Sequence, residues 1–447
     1  MTVQRIVSSF LPSTFLLFAF VAMVSGALPD PRRLHAAPLP SQIIVDPANP
    51  SWFRHHQGGP FFLCGPGDPE GFLYRGSHNP DGTRNGDQMA LIHKLAGTGA
   101  NSIYLMAVRS HGGDGDSTQN PFIDHDPAQG VNPAVLAQWE EWFTEMDRHG
   151  IVIFFFLYDD STKVWDTGDT VGAAERTFLQ TLVNAFEHHT HLIWVIAEEY
   201  QEAFTPARVS NIAAVIRAAD DHAHPIAVHK LSGLAFSEFA DDPCIDQFAI
   251  QYNTSSAAAL HRGMVAAWNE ARGRYNLNMS EAANHGTGAT ARRKNWAIAM
   301  GGAYVMVLGW DIASTAVKDL EDCGRLVNFM ERTDFTRMAP HDELKFGGTE
   351  YVLAFPGQSY IAYAGNLAGR IGLKNMSAGT YDFRWLDIVT GTIVKQRGIA
   401  IQAGDRTWPT PPTIGNELAV YIRRSQTSDV APPAPPSGLA VMHGATP

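Results

Sequence analysis

The sequence predicts an α/β protein, a (β/α)8 TIM barrel followed by a small antiparallel β-sandwich. Three observations predict it. Eight short, continuously apolar runs are separated by amphipathic helical stretches, as strands buried on both faces of a parallel sheet require. Near residue 340 the pattern changes to period-two alternation broken by Gly, Asn and Asp turns. A chain of 447 residues also exceeds one ordinary domain, and suits a barrel of about 250 residues plus a second domain.

The elements follow in order. Arg5 precedes the apolar run FLLFAFVAMVSGA (15–27), and Ser25 and Ala27 supply small residues at the −3 and −1 positions of a cleavage site. Residues 1–27 therefore read as a secretory signal peptide. An uncleaved membrane anchor is the alternative, since 6–27 approaches spanning length. The expected location is secreted, extracellular, with periplasmic or cell-surface retention as variants, and no membrane partner once the signal is cleaved. A Pro-rich leader (28–40) follows, then the β-like SQIIVD (41–46).

The barrel is expected over 41–338. Its strands are FFLCG (61–65), NSIYLMA (101–107), IVIFFFL (151–157), LIWVIA (192–197), PIAVH (225–229), QFAIQY (247–252), NLNMS (276–280) and AYVMVLGW (303–310). Helical patterns fill 86–99, 132–150, 173–189, 206–222, 256–272, 289–301 and 317–330. The second is the clearest, with Pro133 at its start and Gly150 at its end. The connection 230–246 holds no long helix. An open doubly wound sheet is the competing architecture, but the turn CGPGDPEG matches a phosphate-binding GxGxxG poorly. The β-sandwich is expected over 339–425, and a Pro/Ala-rich linker or tail over 426–447.

Composition narrows the function. The formal net charge is −12, and no basic stripe marks a nucleic-acid binder. Substrates with little or no charge fit an acidic surface. The three cysteines, Cys64, Cys244 and Cys323, cannot all pair. Cys64 reads as a buried thiol, and a Cys244–Cys323 bridge stays open. No CxxC, HExxH, P-loop or GxSxG motif occurs, so no metal and no cofactor are expected. The polar loop 111–127 looks oxygen-rich at Asp114, Asp116 and Thr118 but lacks the twelfth-position Glu of an EF-hand, and reads as a substrate-shaping loop rather than a calcium site. His188, His189 and His191 precede the fourth strand and belong to the bottom of the barrel.

In such a barrel the functional groups sit where strands end and βα loops begin. Two ends stand out. LIWVIAEEY runs a strand into Glu198 and Glu199, and NLNMSEAANHG ends the seventh strand at Glu281. One protonated and one ionised carboxyl group across a pocket is the minimum equipment for cleaving a glycosidic bond. Strands four and seven face each other across a barrel mouth, where side chains can stand about 5 Å apart, the spacing of a retaining enzyme.

Four segments carry a resemblance: NPSWFRHHQGGPFFLCGPGD (49–68), HLIWVIAEEY (191–200), NMSEAANHG (278–286) and YDFRWLDIVTGTI (381–393). With them the chain resembles the clan of TIM-barrel retaining glycosidases whose catalytic glutamates end strands four and seven. Within it, the chain looks most like the apiosidase-like barrels, which carry a C-terminal β-domain of the collagen-binding type. The likeness spans most of 41–424. It implies Glu199 as acid/base and Glu281 as nucleophile. The clan has Asn immediately before the acid/base, placed to bond the sugar 2-hydroxyl. Here Glu198 stands there, which leaves the sugar preference open and keeps Glu198 itself as a candidate acid. The resemblance also implies Tyr252 as a hydrogen-bond partner of the nucleophile.

Other strand ends supply candidate substrate contacts. Arg109 could hold Glu281 ionised, Trp310 could form a sugar platform, and Asp68, Asp159, Asp160 and His229 could meet hydroxyls. The expected partner is a polysaccharide or oligosaccharide of plant or microbial origin, and the expected state is a monomer. Two other readings stand: a non-catalytic carbohydrate- or matrix-binding secreted protein, and a metal-dependent barrel hydrolase using His111, His229 and Asp160. If the β-domain braces the barrel, Trp385 is expected to pack against it.

Overall fold

The structure, a computed structural model, describes residues 37–425 apart from 69, 283 and 284 and the side chains of 68 and 308–310. The expected signal peptide, most of the leader and the 426–447 tail lie outside the described residues. No helix among the described residues is long and apolar enough to cross a membrane.

Eight parallel strands make the barrel: β1 Cys64–Asp68, β2 Ser102–Met106, β3 Val152–Tyr158, β4 Leu192–Ala197, β5 Ile226–His229, β6 Gln247–Gln251, β7 Asn276–Glu281 and β8 Tyr304–Asp311. Their hydrogen-bonded order is β1-β8-β7-β6-β5-β4-β3-β2, so first and last strands are neighbours, as in a barrel. The seam between β1 and β2 is joined through Asn101. Its N–H donates to the Cys64 carbonyl at 3.1 Å, and its side chain accepts from the Cys64 N–H at 2.9 Å and donates to the Phe62 carbonyl at 2.8 Å. The strands approach so closely there that a Cβ on Gly65 would meet Ser102 Oγ at 2.4 Å, which only glycine avoids.

The helices are α1 Gln88–Ala96, α2 Pro133–Arg148, α3 Ala173–Phe186, α4 Pro206–Ala219, α5 Ala257–Ala271, α6 Gly288–Met300 and α7 Val317–Met330. The local signals in α2 explain its bounds. Asn132 caps it by accepting from Ala134 N–H, and Pro133 opens it. Val135, Trp139, Trp142, Phe143 and Met146 are buried at three- and four-residue spacing, and Gly150 turns the chain out at φ +66. As expected, β5 and β6 are connected without a named helix. The first strand begins at Cys64 rather than Phe61; Phe61 and Phe62 are buried ahead of it, and the Leu63 carbonyl accepts from the Val305 N–H of β8. Before it, Ile43–Val45 and Phe53–His55 form an antiparallel hairpin. Phe53 stacks on Tyr304 at the start of β8 (5.3 Å), so this hairpin closes the end of the barrel away from the βα loops.

The C-terminal part holds nine strands: β9 Ala339–Pro340, β10 Lys345–Gly347, β11 Tyr351–Phe355, β12 Ser359–Ala364, β13 Ile371–Met376, β14 Gly379–Asp387, β15 Ile393–Ile401, β16 Gly404–Trp408 and β17 Leu418–Arg424. One sheet runs β9-β11-β12-β17-β14-β15 and the other β10-β13-β16. The stretches 390–398 and 399–403, expected as two strands, join in β15, paired with β14 across a register shift.

One face of the larger sheet lies on the barrel helices. Trp296 of α6 stacks on Tyr363 (5.5 Å), and His261 of α5 stacks on Tyr351 (3.7 Å). Buried Arg292 of α6 makes two bonds to Glu417 at 2.8 Å and a third to Asp322 of α7 at 2.9 Å. The domain therefore does brace the barrel, but without the expected contact from Trp385. Trp385 packs with Phe383 inside the sandwich and donates to Gln396. Alternation along β14 turns 383 and 385 inward and Arg384 outward, where its guanidinium covers Phe329 of α7.

Removing one partner of a buried ion pair leaves the other charge uncompensated. Arg292→Ala is expected to lose about 3–5 kcal/mol of stability in chemical unfolding. An unchanged midpoint would mean that this clamp does not hold the two parts together.

Candidate active site

The C-terminal ends of β4, β6 and β7 bring the central groups together. The β4 run of buried apolar residues ends at Ala197, and Glu198 and Glu199 follow at the mouth. Glu199 is left-handed (φ +36, ψ +47), a conformation that costs a non-glycine residue energy and persists only where neighbours enforce it. His229 at the end of β5 is one enforcer: its Nδ1 accepts from the Glu199 N–H at 3.1 Å. Complete burial pushes His229 down to about 3, so it is a neutral acceptor at Nδ1 with its proton on Nε2. The Glu202 N–H closes the following turn onto the Glu199 carbonyl at 2.9 Å.

The two predicted catalytic glutamates meet on one side chain. Gln251, the last residue of β6, donates its amide N–H to Glu199 Oε1 at 2.7 Å, and its side chain also bonds the Glu281 carboxylate. Burial raises both carboxyl groups. Glu199 is pushed up to about 7, first by burial, with Glu281, Glu202 and Asp160 adding like charge against the bond from Gln251. Glu281 is also raised by burial, and the Gln251 bond favours its ionised form. One amide thus steadies two carboxyl groups that repel each other when both are ionised.

Glu198 has a different setting. It is almost fully buried, accepts from Tyr104 Oη at 2.9 Å and bonds Asp159. Burial pushes it well above the carboxylate range, with Glu70 and Asp159 adding like charge. Burial raises Asp159 too, against the opposing charge of Arg109. The proton of this pair belongs to Glu198, because Asp159 has the guanidinium: Arg109 Nε donates to Asp159 at 2.9 Å and Nη2 to Glu70 at 2.8 Å. Glu198 is therefore a neutral acid facing a charged triad.

Several predicted residues fall differently from expectation. Arg109 serves Asp159 and Glu70, not Glu281. The Tyr252 ring lies against α5, where a Cβ on Gly263 would meet it at 2.6 Å, and only its backbone N–H bonds the Glu281 carbonyl. Gln247, Ala249 and Gln251 alternate onto one face of β6, so Gln251 holds the place expected of Tyr252. His229 supports Glu199 from behind. Asp160 is half-buried beside Glu199 and Glu202, and burial raises it to about 6. The side chains of Asp68 and Trp310 lie outside the described residues. Among the described residues, Asp160 clusters with Glu199 and Glu202, and neither His111 nor His229 belongs to that cluster. In the 111–127 loop, Asp116 accepts from Thr118 N–H and Oγ–H. His188 and His189 bond Glu140, and His191 bonds Asp147, all on α2.

Sequence reasoning missed Gln251, Tyr104 and Glu70. Period two along QFAIQY could have found Gln251, and the lone phenol in SIYLM could have found Tyr104. Glu70 lies beyond its strand end and carries no such signal.

No family model matches the sequence, and comparison with curated proteins finds no match. Solved structures do share the architecture. One described as "Glycoside hydrolase" is 13% identical, with a TM-score of 0.64 over 87% of this chain and 99% of its own. A glycoside hydrolase family 5 protein from Bacteroides vulgatus ATCC 8482 is 13% identical, with a TM-score of 0.63 over 86% of this chain and 93% of its own. At such identity the likeness establishes the fold.

Two predictions follow from the shared amide and the raised carboxyl. Gln251→Leu removes a bond that favours the ionised forms, so carboxyl NMR titration should move the Glu199 and Glu281 midpoints upward together. Movement of only one would show that the amide serves only one. Separately, Glu199 holds its proton more tightly folded than unfolded, so the stability linked to it is complete below about 4.5 and is lost as pH rises through about 7. Glu199→Gln should therefore melt higher than wild type at pH 8, with the gap closing by pH 4. A gap that widens on acidification would contradict the raised value.

Proposed function

We propose that this protein is a secreted retaining glycoside hydrolase that cleaves O-glycosidic bonds of plant or microbial polysaccharides by double displacement. The observation that carries the reading is the pair Glu199 and Glu281, from the ends of β4 and β7, joined through Gln251. Glu281 is among the like charges that raise Glu199, so the two carboxyl groups interact, as a retaining pair standing ~5–5.5 Å apart must. The glycoside hydrolase descriptions of the two structures of similar fold support the same class.

In this mechanism Glu281 attacks the anomeric carbon as carboxylate while Glu199 gives its proton to the leaving oxygen. The leaving group departs as an alcohol and a glycosyl ester remains on Glu281. Glu199, now ionised, takes a proton from water as that water attacks the same carbon. The sugar leaves with retained configuration, and both residues return to their starting states. A value near 7 suits Glu199 to both proton transfers at neutral pH.

The setting favours Glu199 over Glu198 as acid/base. Glu198 is buried against Tyr104 and Asp159, and its one acid proton is already shared with Asp159. The mouth gathers Glu70, Asp159, Asp160, Glu198, Glu199 and Glu202, and Arg109 is already paired with two of them. Neutral sugars fit such a site, and uronates meet repulsion.

The test is release of reducing sugar from a panel of neutral polysaccharides, uronate polymers and aryl glycosides. Wild type is expected to act on a neutral substrate, Glu199→Gln to lose about 10²–10⁴-fold, and Glu281→Gln to be inactive while folded. Full activity in Glu281→Gln would overturn the nucleophile assignment. Binding of a glycan without turnover on any member would favour a carbohydrate-binding protein.

A further inference from the structure

The two cysteines Cys64 and Cys323 lie 259 residues apart in sequence and meet in the core. Cys64 opens β1 and Cys323 sits in α7, the last helix of the barrel. Both are fully buried. Their sulfurs are 2.7 Å apart, inside the about 3.5–4 Å at which non-bonded heavy atoms settle. Each partner is held on a tight seam. Asn101 bonds both backbone groups of Cys64, and Asn295 Nδ2 reaches Cys323 Sγ at 3.5 Å. Beside Cys323, a Cβ on Gly324 would meet the Thr98 carbonyl at 2.1 Å, so α7 is pressed onto the chain entering β2. Cys244 lies in the connection before β6, where its carbonyl accepts from Arg217.

We propose that Cys64 and Cys323 form a disulfide in the mature protein, covalently fastening the first strand of the barrel to its last helix. Bond formation removes one proton and one electron from each thiol. A disulfide oxidant, such as glutathione disulfide, accepts both electrons and leaves as two thiols. One cysteine thiolate attacks the oxidant to give a mixed disulfide, and the second displaces the remaining thiol. Burial and the neighbouring sulfur push the Cys323 thiol well above its ordinary range, so the reacting thiolate is scarce in the folded state. The bond therefore forms while the chain is still open. It then secures the end of the barrel where closure joins residues distant in sequence, and it makes stability depend on the redox state during folding. This inference is independent of the glycosidase reading, because neither sulfur belongs to the site.

The test begins with the full chain, reduced and unfolded, then refolded with a glutathione redox mixture. The product is denatured without reductant, alkylated and weighed. One alkylated cysteine is expected of three, with a Cys64–Cys323 cross-linked peptide on proteolysis and three alkylations after reduction. Three alkylations without reductant, or a cross-link through Cys244, would overturn the proposal. In melting experiments, Cys64→Ala, Cys323→Ala and wild type refolded under reductant should fall several degrees below oxidised wild type, whereas Cys244→Ala should keep the redox dependence. If a variant fails to fold, the alkylation count on wild type still decides.

Discussion

Closure of the eight-stranded sheet is the constraint on which the rest depends. An open parallel sheet would leave the ends of β4 and β7 three strand spacings apart along one line, about 14 Å from each other. Closure places them across a mouth, with β6 between to supply Gln251. The closing joint is narrow: Asn101 replaces a full ladder between β1 and β2, and Gly65 gives the clearance that Ser102 needs. The N-terminal hairpin fills the far end of the barrel, and the β-domain braces α5, α6 and α7 from outside through aromatic stacking and the Arg292 clamp. These supports all lie away from the mouth.

There, environment assigns different tasks to chemically identical side chains. Glu198 and Glu199 are adjacent, yet one is buried against a phenol and a charged triad while the other stands half-buried beside Glu281. Strand alternation alone would send the two side chains to opposite faces; the positive φ of Glu199 breaks it, so that Glu199 also reaches the mouth, at Gln251. His229 sustains that geometry through a neutral ring nitrogen. A charged imidazole would lose the acceptor, and its complete burial prevents the charge.

The barrel was legible because its signals are strong and local: continuous apolar strands, capped amphipathic helices, and carboxylates at strand ends. The seven helices appear at the expected places, and the helix-free connection between β5 and β6 does too. The β-domain was less legible. GDRTW, which forms β16, is an edge strand with polar, partly exposed residues, so it lacks the alternation that marks a half-buried strand. At the site, Glu199 and Glu281 were visible as strand ends, but their meeting on Gln251 was not. Choosing Tyr252 followed residue type where strand parity pointed one position earlier. The partners of Arg109 depend on Glu70, which comes from a loop whose path no local pattern encodes. Trp385 shows the same limit: its burial was readable, but which of two cores receives it depends on how the sheet packs.

The proposed mechanism has Glu281 covalently attached to the sugar while Glu199 moves the proton. It is tested most directly by incubating the protein with an activated 2-deoxy-2-fluoro glycoside of its substrate sugar, which forms the ester quickly and hydrolyses it slowly. Mass spectrometry should then show one glycosyl adduct per chain, on the peptide containing Glu281. Turnover with no adduct, or an adduct on Glu198 or Glu199, would overturn that mechanism.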